Sequence, residues 1–194
     1  MGRKREFDPD AVLDRAIETF WSRGYEATSV QDLVDEMGIN RGSLYDTFGD
    51  KHTLFLAAID RYYDTVLSCT LRFLNAPIPA REAIEMAIRN NGVCAGADAE
   101  RRGCLMTNSA VELAPHCVET AARVASYYRR TEDAFEAAIR RARSEGGVTS
   151  PLADRALAQF ITCCLQGLVV ISKVDADPGK LNDIVETLVS TLDG

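Results

Sequence analysis

The stretch INRGSLYDTFGDKHTLF, residues 39–55, decides how this 194-residue chain is read. Asn40 is a competent helix N-cap, because its short side chain can accept from a backbone N–H one turn on. Leu44 and Phe48 lie four apart and share a face, and Ile39 can join them in packing. Arg41, Gly42, Tyr45 and Asp46 are then left largely outside. A helix that serves only as core has little use for so polar a set, and glycine inside a helix costs about 1 kcal/mol relative to alanine. Gly42 makes sense where the backbone must approach another surface closely. A turn-like, poorly formed first segment is the plainer alternative. Phe48-Gly49 ends the element, Asp50 can cap the next helix, and Lys51 stands at its start.

The flanking segments give this short helix a setting. Asp8-Pro9 supplies an N-cap and a first-turn proline, and Val12, Ala16 and Phe20 line one face, with Leu13, Ile17 and Trp21 beside them. Gly24 ends that helix. Thr28 reads as the cap of SVQDLVDEM, with Gln31 three residues on completing a capping box. Val30, Leu33, Val34 and Met37 form its apolar face, and Gly38 stops it. A longer helix followed by two short ones so tightly joined is the pattern of a helix-turn-helix.

Downstream, the three-and-four spacing of apolar residues continues without strand-like alternation. A fourth helix is predicted from 51 to about 73, then a break at NAPIPA and a helix over REAIEMAIRNNGV. AGADAERRG reads as a loop and CLMTNSAVEL as a short helix. Pro115 is expected to open a long helix reaching about Ser144, stopped by EGG at 145–147. Ser150-Pro151 and Asp177-Pro178 are expected to start the last two. The reading is an all-α fold of nine helices: an N-terminal three-helix helix-turn-helix domain plus a C-terminal helical ligand-binding and dimerisation domain. The domains are residues 1–50 and 51–194, with helix 51–74 connecting them. Three short helices hold little apolar surface, so the fourth must brace them.

The formal net charge is -7, from 22 lysines and arginines against 29 aspartates and glutamates. A protein that coats nucleic acid without preference should be basic, so that role is excluded. A sequence-specific reader needs only a local cationic face. The first 52 residues carry seven basic and eleven acidic side chains, so acids such as Asp14, Glu18, Asp35 and Glu36 must face away from any DNA. Arg3, Lys4 and Arg5 can act as an arm on DNA or as a solubilising end. MGRKREFDPD has no apolar run after its basic residues, and AQFITCCLQGLVVISKV is interrupted by Gln166 and Gly167; a cytoplasmic protein outside the membrane is expected. The six cysteines form no CxxC pair and only two histidines are present, so no metal or cofactor is expected, and most cysteines read as small core residues. His52 and His116 form no constellation with a nucleophile, and no phosphate loop occurs, which argues against an enzyme.

Several side chains in and around the third helix have the chemistry for double-stranded DNA. Arg41 can bond guanine bidentately or clamp a phosphate. Ser43 and Tyr45 can donate hydroxyls, and Thr47 is a weaker backbone contact. Lys51 pairs a cation with free helix-start N–H groups, a natural phosphate anchor. Tyr25 and Thr28 are candidates at the other flank. Asp46 repels phosphate; it can accept from a cytosine amine, or pair with Arg41 or His52.

AIETFWSRGYEATSVQDLVDEMGINRGSLYDTFGDKHTLF resembles the DNA-binding domain of the TetR/AcrR family of transcriptional regulators. A helix ending in Phe and Gly-Tyr, then Thr-Ser, a helix, Gly-Ile, a basic-Gly-Ser-Leu-Tyr segment, Phe and Lys occur in order over about a quarter of the chain. Met37, Asp46 and Asp50 depart from the pattern. The resemblance implies an all-helical homodimer on a palindromic or near-palindromic operator, often a repressor released by a small-molecule effector. It carries DNA contact over to Thr28, Arg41, Ser43, Tyr45 and Lys51. GCLMTNSAVELAPH also resembles the ligand domain of a subset of the family.

For the effector site, residue type between helices four and eight nominates Tyr62, Tyr63, Met86, Arg89, Asn90, Cys104, Met106, Asn108, Glu112, His116, Tyr127 and Phe160. The last two helices, rich in Leu157, Cys164, Leu168, Ile184 and Leu188, are placed at a two-fold dimer interface, with Gly167 permitting close approach. A helical scaffold without specific DNA binding is the alternative reading.

Overall fold

The computed structural model describes residues 7–194, so the basic cluster Arg3, Lys4 and Arg5 lies outside the described residues. The described residues form nine α-helices and no strand: α1 (Pro9–Arg23), α2 (Val30–Met37), α3 (Arg41–Phe48), α4 (Lys51–Leu74), α5 (Ala80–Ala97), α6 (Leu105–Glu112), α7 (Val118–Ser144), α8 (Asp154–Ser172) and α9 (Pro178–Ser190). Asp8, Asn40, Asp50 and Asp177 each cap their helices as the sequence indicates.

Four boundaries differ from expectation, each for a local reason. Ser29, not Thr28, caps α2, and its box partner is Asp32 rather than Gln31. The Thr28 hydroxyl donates to the Gly24 carbonyl at 2.6 Å inside the preceding turn, which buries it and hands the cap to its neighbour. α5 runs through Ala97, taking the first residues of the expected loop. α7 starts at Val118 instead of Pro115, because Cys117 caps it by accepting from the Thr120 N–H. α8 starts at Asp154 instead of Pro151. The intervening chain is pinned to the end of α9, where the N–H groups of Thr149 and Ser150 both donate to the Leu192 carbonyl.

Two apolar clusters organise the packing. The first joins α1–α3 to the first part of α4, and also takes in Cys104, Leu105, Met106, Leu113, Val124 and Tyr127 from α6, its two caps and α7. Within it Phe20 meets Phe55 edge-to-face at 5.1 Å, a geometry that aromatic quadrupoles favour. The second cluster gathers the end of α4 with α5, α7, α8 and α9. Helix α4 contributes Tyr63 and Leu67 to the first and Leu74 to the second, so one rigid element enters both. The cysteines do not follow the core expectation: Cys104 is buried, Cys69, Cys117 and Cys164 are half-buried, and Cys94 and Cys163 are exposed.

Candidate nucleic-acid interface and effector cleft

Helix α3 is held from one side only. Leu44 is fully buried, and Ile39 and Phe48 pack half-buried against the first cluster. Arg41, Gly42, Tyr45 and Asp46 face outward, and Ser43 and Thr47 are half-exposed. A Cβ at Gly42 would approach only the Asn40 side chain, so the bare backbone there is presented outward and not pressed into the protein. Asn40 accepts from the Ser43 N–H at 2.8 Å and fixes the first turn.

Arg41 is oriented by α2: its guanidinium donates to Gln31 at 3.1 Å, and Gln31 donates to Asp35 at 2.8 Å. Neither Arg41 nor His52 pairs with Asp46, which makes no ion pair among the described residues. Lys51 stands over the Tyr25 ring, its Nζ 4.2 Å from the centroid, a cation–π contact that keeps the ammonium beside the start of α4. Burial pushes the Tyr25 phenol up, with Glu26 and Asp50 adding to it, so the hydroxyl stays a donor. Thr28 is a correction: fully buried and bonded inward, it has no hydroxyl to offer a phosphate, and the neighbouring Ser29 hydroxyl donates to Asp32 at 2.6 Å.

Five of the acids that make this region net negative are paired with arginines, whereas Asp35, Asp46 and Asp50 are not, among the described residues. Arg23 pairs with Asp32 and Glu36, Arg61 with Asp10 and Asp14, and Arg102 with Glu18.

Two contacts that no local pattern signals fasten α1 and the corner after it to α6 and the segment before it. The Glu112 carboxylate, at the end of α6, accepts from the N–H groups of Tyr25 at 3.1 Å and Glu26 at 2.9 Å, in the corner between α1 and α2. The Trp21 indole N–H donates to the Gly103 carbonyl at 3.0 Å, while Arg102 stacks 4.0 Å from the same ring.

Beneath these contacts lies a cleft of about 1260 Å³, walled by α1, α4, α5, the 97–104 segment, α7 and α8. Of the nominated ligand residues it brings together Tyr62, Asn90, Cys104 and Tyr127. Burial pushes the Tyr62 and Tyr127 phenols well up, with Cys104 nearby adding to it, so both are neutral hydrogen-bond donors. The others belong elsewhere. Met86 and His116 are exposed, and Arg89 is bonded to Glu85 and Glu186 on the outer surface. Asn108 is held by Arg102 and Lys173, Glu112 by the N–H groups of Tyr25 and Glu26, and Phe160 projects outward from α8. Tyr63 and Met106 are core. Trp21, Arg102, Gln166 and Val169 join the lining without having been nominated.

Helix α8 is apolar on two faces. Leu157 and Leu168, with Leu188 of α9, are buried in the chain's own core, which corrects their placement at an interface. The outward stripe of α8 is Ala156, Phe160, Cys163, Gly167 and Val170, spaced alternately four and three apart. Half-buried Cys164 and Ile184 lie at the margin of the core. A Cβ at Gly167 would meet nothing within 4 Å.

A short helix presented across a tight turn, braced by a helix that runs on beside a cleft, defines a helix-turn-helix DNA-binding protein. Residues 12–58 match the profile described as bacterial regulatory proteins, tetR family, and residues 81–188 that described as Tetracyclin repressor-like, C-terminal domain. The chain is 42% identical to the HTH-type transcriptional regulator YezE of Bacillus subtilis (strain 168) over 195 residues, covering 100% of both. It is 31% identical to the HTH-type transcriptional repressor ComR of Escherichia coli (strain K12), covering 96% of this chain and 89% of the relative. A cysteine mutant of the TetR family regulator CifR, complexed with 26-bp operator DNA, superposes with a TM-score of 0.86 at 29% identity, covering 97% of this chain and 98% of that one. The chain belongs to the TetR family and is a helix-turn-helix transcriptional regulator.

Proposed function

We propose that this regulator is a cytoplasmic, non-enzymatic homodimeric repressor that leaves a palindromic operator when a small molecule enters the cleft. Residues 1–50 act as the reader and 51–194 as the effector and dimerisation body, with helix 51–74 between them. The observation that carries the reading is that α1 of the reader lines the cleft, through Ile17, Glu18 and Trp21, together with Tyr62 of α4. An occupant therefore presses on the reader and on its brace at once.

Arg41, Gly42, Ser43 and Tyr45 enter the major groove, while Tyr25 and Lys51 contact the backbone around it. Two such helices must stand about 34–36 Å apart to read successive half-sites. The outward stripe of α8 supports a two-fold partner, since its spacing is that of a helix–helix seam and Gly167 leaves room for close approach. Release follows if the occupied cleft favours a different separation of the readers, which is a difference in ligand affinity between two states.

Selection of bound duplexes from a random pool should return an inverted repeat, and mapping it to neighbouring genes should nominate the effector class. Titration of that duplex with and without the nominated compound should show weakened binding. Selection that returns no motif would overturn the operator reading, and unchanged affinity at saturating compound would overturn release.

A further inference from the structure

The chain's fold brings together three side chains that the regulatory reading does not use: His52 in the first turn of α4, and Cys117 and Glu119 at the start of α7. Their ligand atoms all lie within 4.8 Å of one another. Cys117 Sγ is 3.6 Å from His52 Nε2 and 3.5 Å from Glu119 Oε2. We propose that His52, Cys117 and Glu119 form a binding site for one zinc-class divalent cation at the junction between reader and body.

The geometry is close to that of a loaded site. Bond lengths of about 2.3 Å to sulfur and 2.0–2.2 Å to nitrogen and oxygen, at tetrahedral angles, put neighbouring ligand atoms about 3.4–3.6 Å apart. Two edges of the triangle, sulfur to nitrogen and sulfur to oxygen, already have that length. Only the His52–Glu119 edge can need shortening, and Glu119 is an exposed side chain free to supply it.

The donor set selects the ion. Thiolate and imidazole together favour zinc over magnesium or calcium, which prefer oxygen. Binding replaces the Cys117 thiol proton, which goes to water, so thiolate and carboxylate together neutralise the dication. The sulfur is positioned beforehand by the N–H of Thr120 at 3.4 Å and its hydroxyl at 3.2 Å. The imidazole is oriented by the Tyr25 ring, edge-on at 6.0 Å. His52 and Cys117 are half-buried and Glu119 is exposed, so three protein ligands leave a fourth position open to water.

A cation here would join α4 to α7 one residue from Lys51 and beside Tyr25, both assigned to the DNA backbone. The ion is thus a second input to the reader, separate from the cleft.

The test uses the full chain, reduced and stripped with a chelator, titrated with Co²⁺ as a spectroscopic stand-in for zinc. The expected result is saturation at one equivalent per chain, with sulfur-to-cobalt charge-transfer absorption that excess Zn²⁺ abolishes. Cys117→Ser should remove that absorption, and His52→Gln should weaken binding at least tenfold. Cys94→Ser and Cys163→Ser, at the two exposed cysteines, should leave both unchanged. Helical circular dichroism checks each variant's fold, and Glu119→Gln, on an exposed position, keeps the test informative if His52→Gln misfolds. Absence of saturable charge-transfer absorption, its survival in Cys117→Ser, or unweakened binding in both His52→Gln and Glu119→Gln overturns the proposal.

Discussion

Glu112→Ala tests whether the body is fastened to the reader through the α1–α2 corner. The carboxylate accepts from two backbone N–H groups, one part-buried at Tyr25 and one exposed at Glu26. A hydrogen bond to a charged group contributes about 1.5–3 kcal/mol when its donor is otherwise stranded, and less when water can replace the acceptor. The Tyr25 donor should account for about 1.5–2 kcal/mol and the Glu26 donor for about 0.5–1 kcal/mol, a total of about 2–3 kcal/mol. At roughly 2–4 °C per kcal/mol for a chain of this size, thermal melting should fall by roughly 4–12 °C. Glu112→Gln keeps an acceptor but loses the charge, and should forfeit about half of that. Amide exchange at Tyr25 should accelerate about tenfold if its share is about 1.4 kcal/mol. A Glu112→Ala protein that melts within about 1 °C of the parent, with Tyr25 exchange unchanged, would refute the reasoning, because it would mean water serves those donors equally well.

Other perturbations separate reading, assembly and acid stability. Arg41→Ala should weaken the selected operator by about 1–3 kcal/mol, roughly 5- to 150-fold, in a binding titration, while leaving the melting temperature in place because the side chain is exposed. Lys51→Ala should weaken all duplexes alike and reduce the salt slope of binding by about one. Phe160→Glu, on a side chain 46% exposed, should shift sedimentation towards the monomer with helical content intact, whereas Leu168→Ala should cost about 2–5 kcal/mol of stability because that side chain is core. Burial pushes the Asp98 carboxyl up, but hydrogen bonds from the N–H groups of Arg102 and Gly103, and the Arg102 charge, leave it below its ordinary 3.8. Its contribution is therefore present above that value and lost as pH falls through the lower folded one. Asp98→Asn should flatten the melting-temperature profile below about pH 4.

The reader was legible in the sequence because its signals are local. Asn40 and Asp50 each act within one turn, and the Leu44–Phe48 pair needs only a helix to share a face. Thr28 and Ser29 are adjacent residues of equal capping chemistry, and only the Gly24 carbonyl in space decides between them. Helix α8 carries apolar residues on both sides, so periodicity could not tell Leu157 and Leu168 from Phe160 and Val170. The cleft was legible by chemistry for Tyr62, Asn90, Cys104 and Tyr127, but Trp21 could not be assigned to it from a helix read as part of the reader. Contacts such as Glu112 to Tyr25 and His52 to Cys117 join residues 87 and 65 positions apart, where no spacing rule applies.

Trp21 is the chain's one tryptophan. It borders the cleft with a guanidinium stacked on its ring and its indole N–H bonded to the body. All indole emission from the unmodified protein therefore originates at the place where an effector would dock and where reader meets body. A compound library can be screened against the native chain by intensity and wavelength alone, with no dye, no tag and no operator duplex in the cuvette.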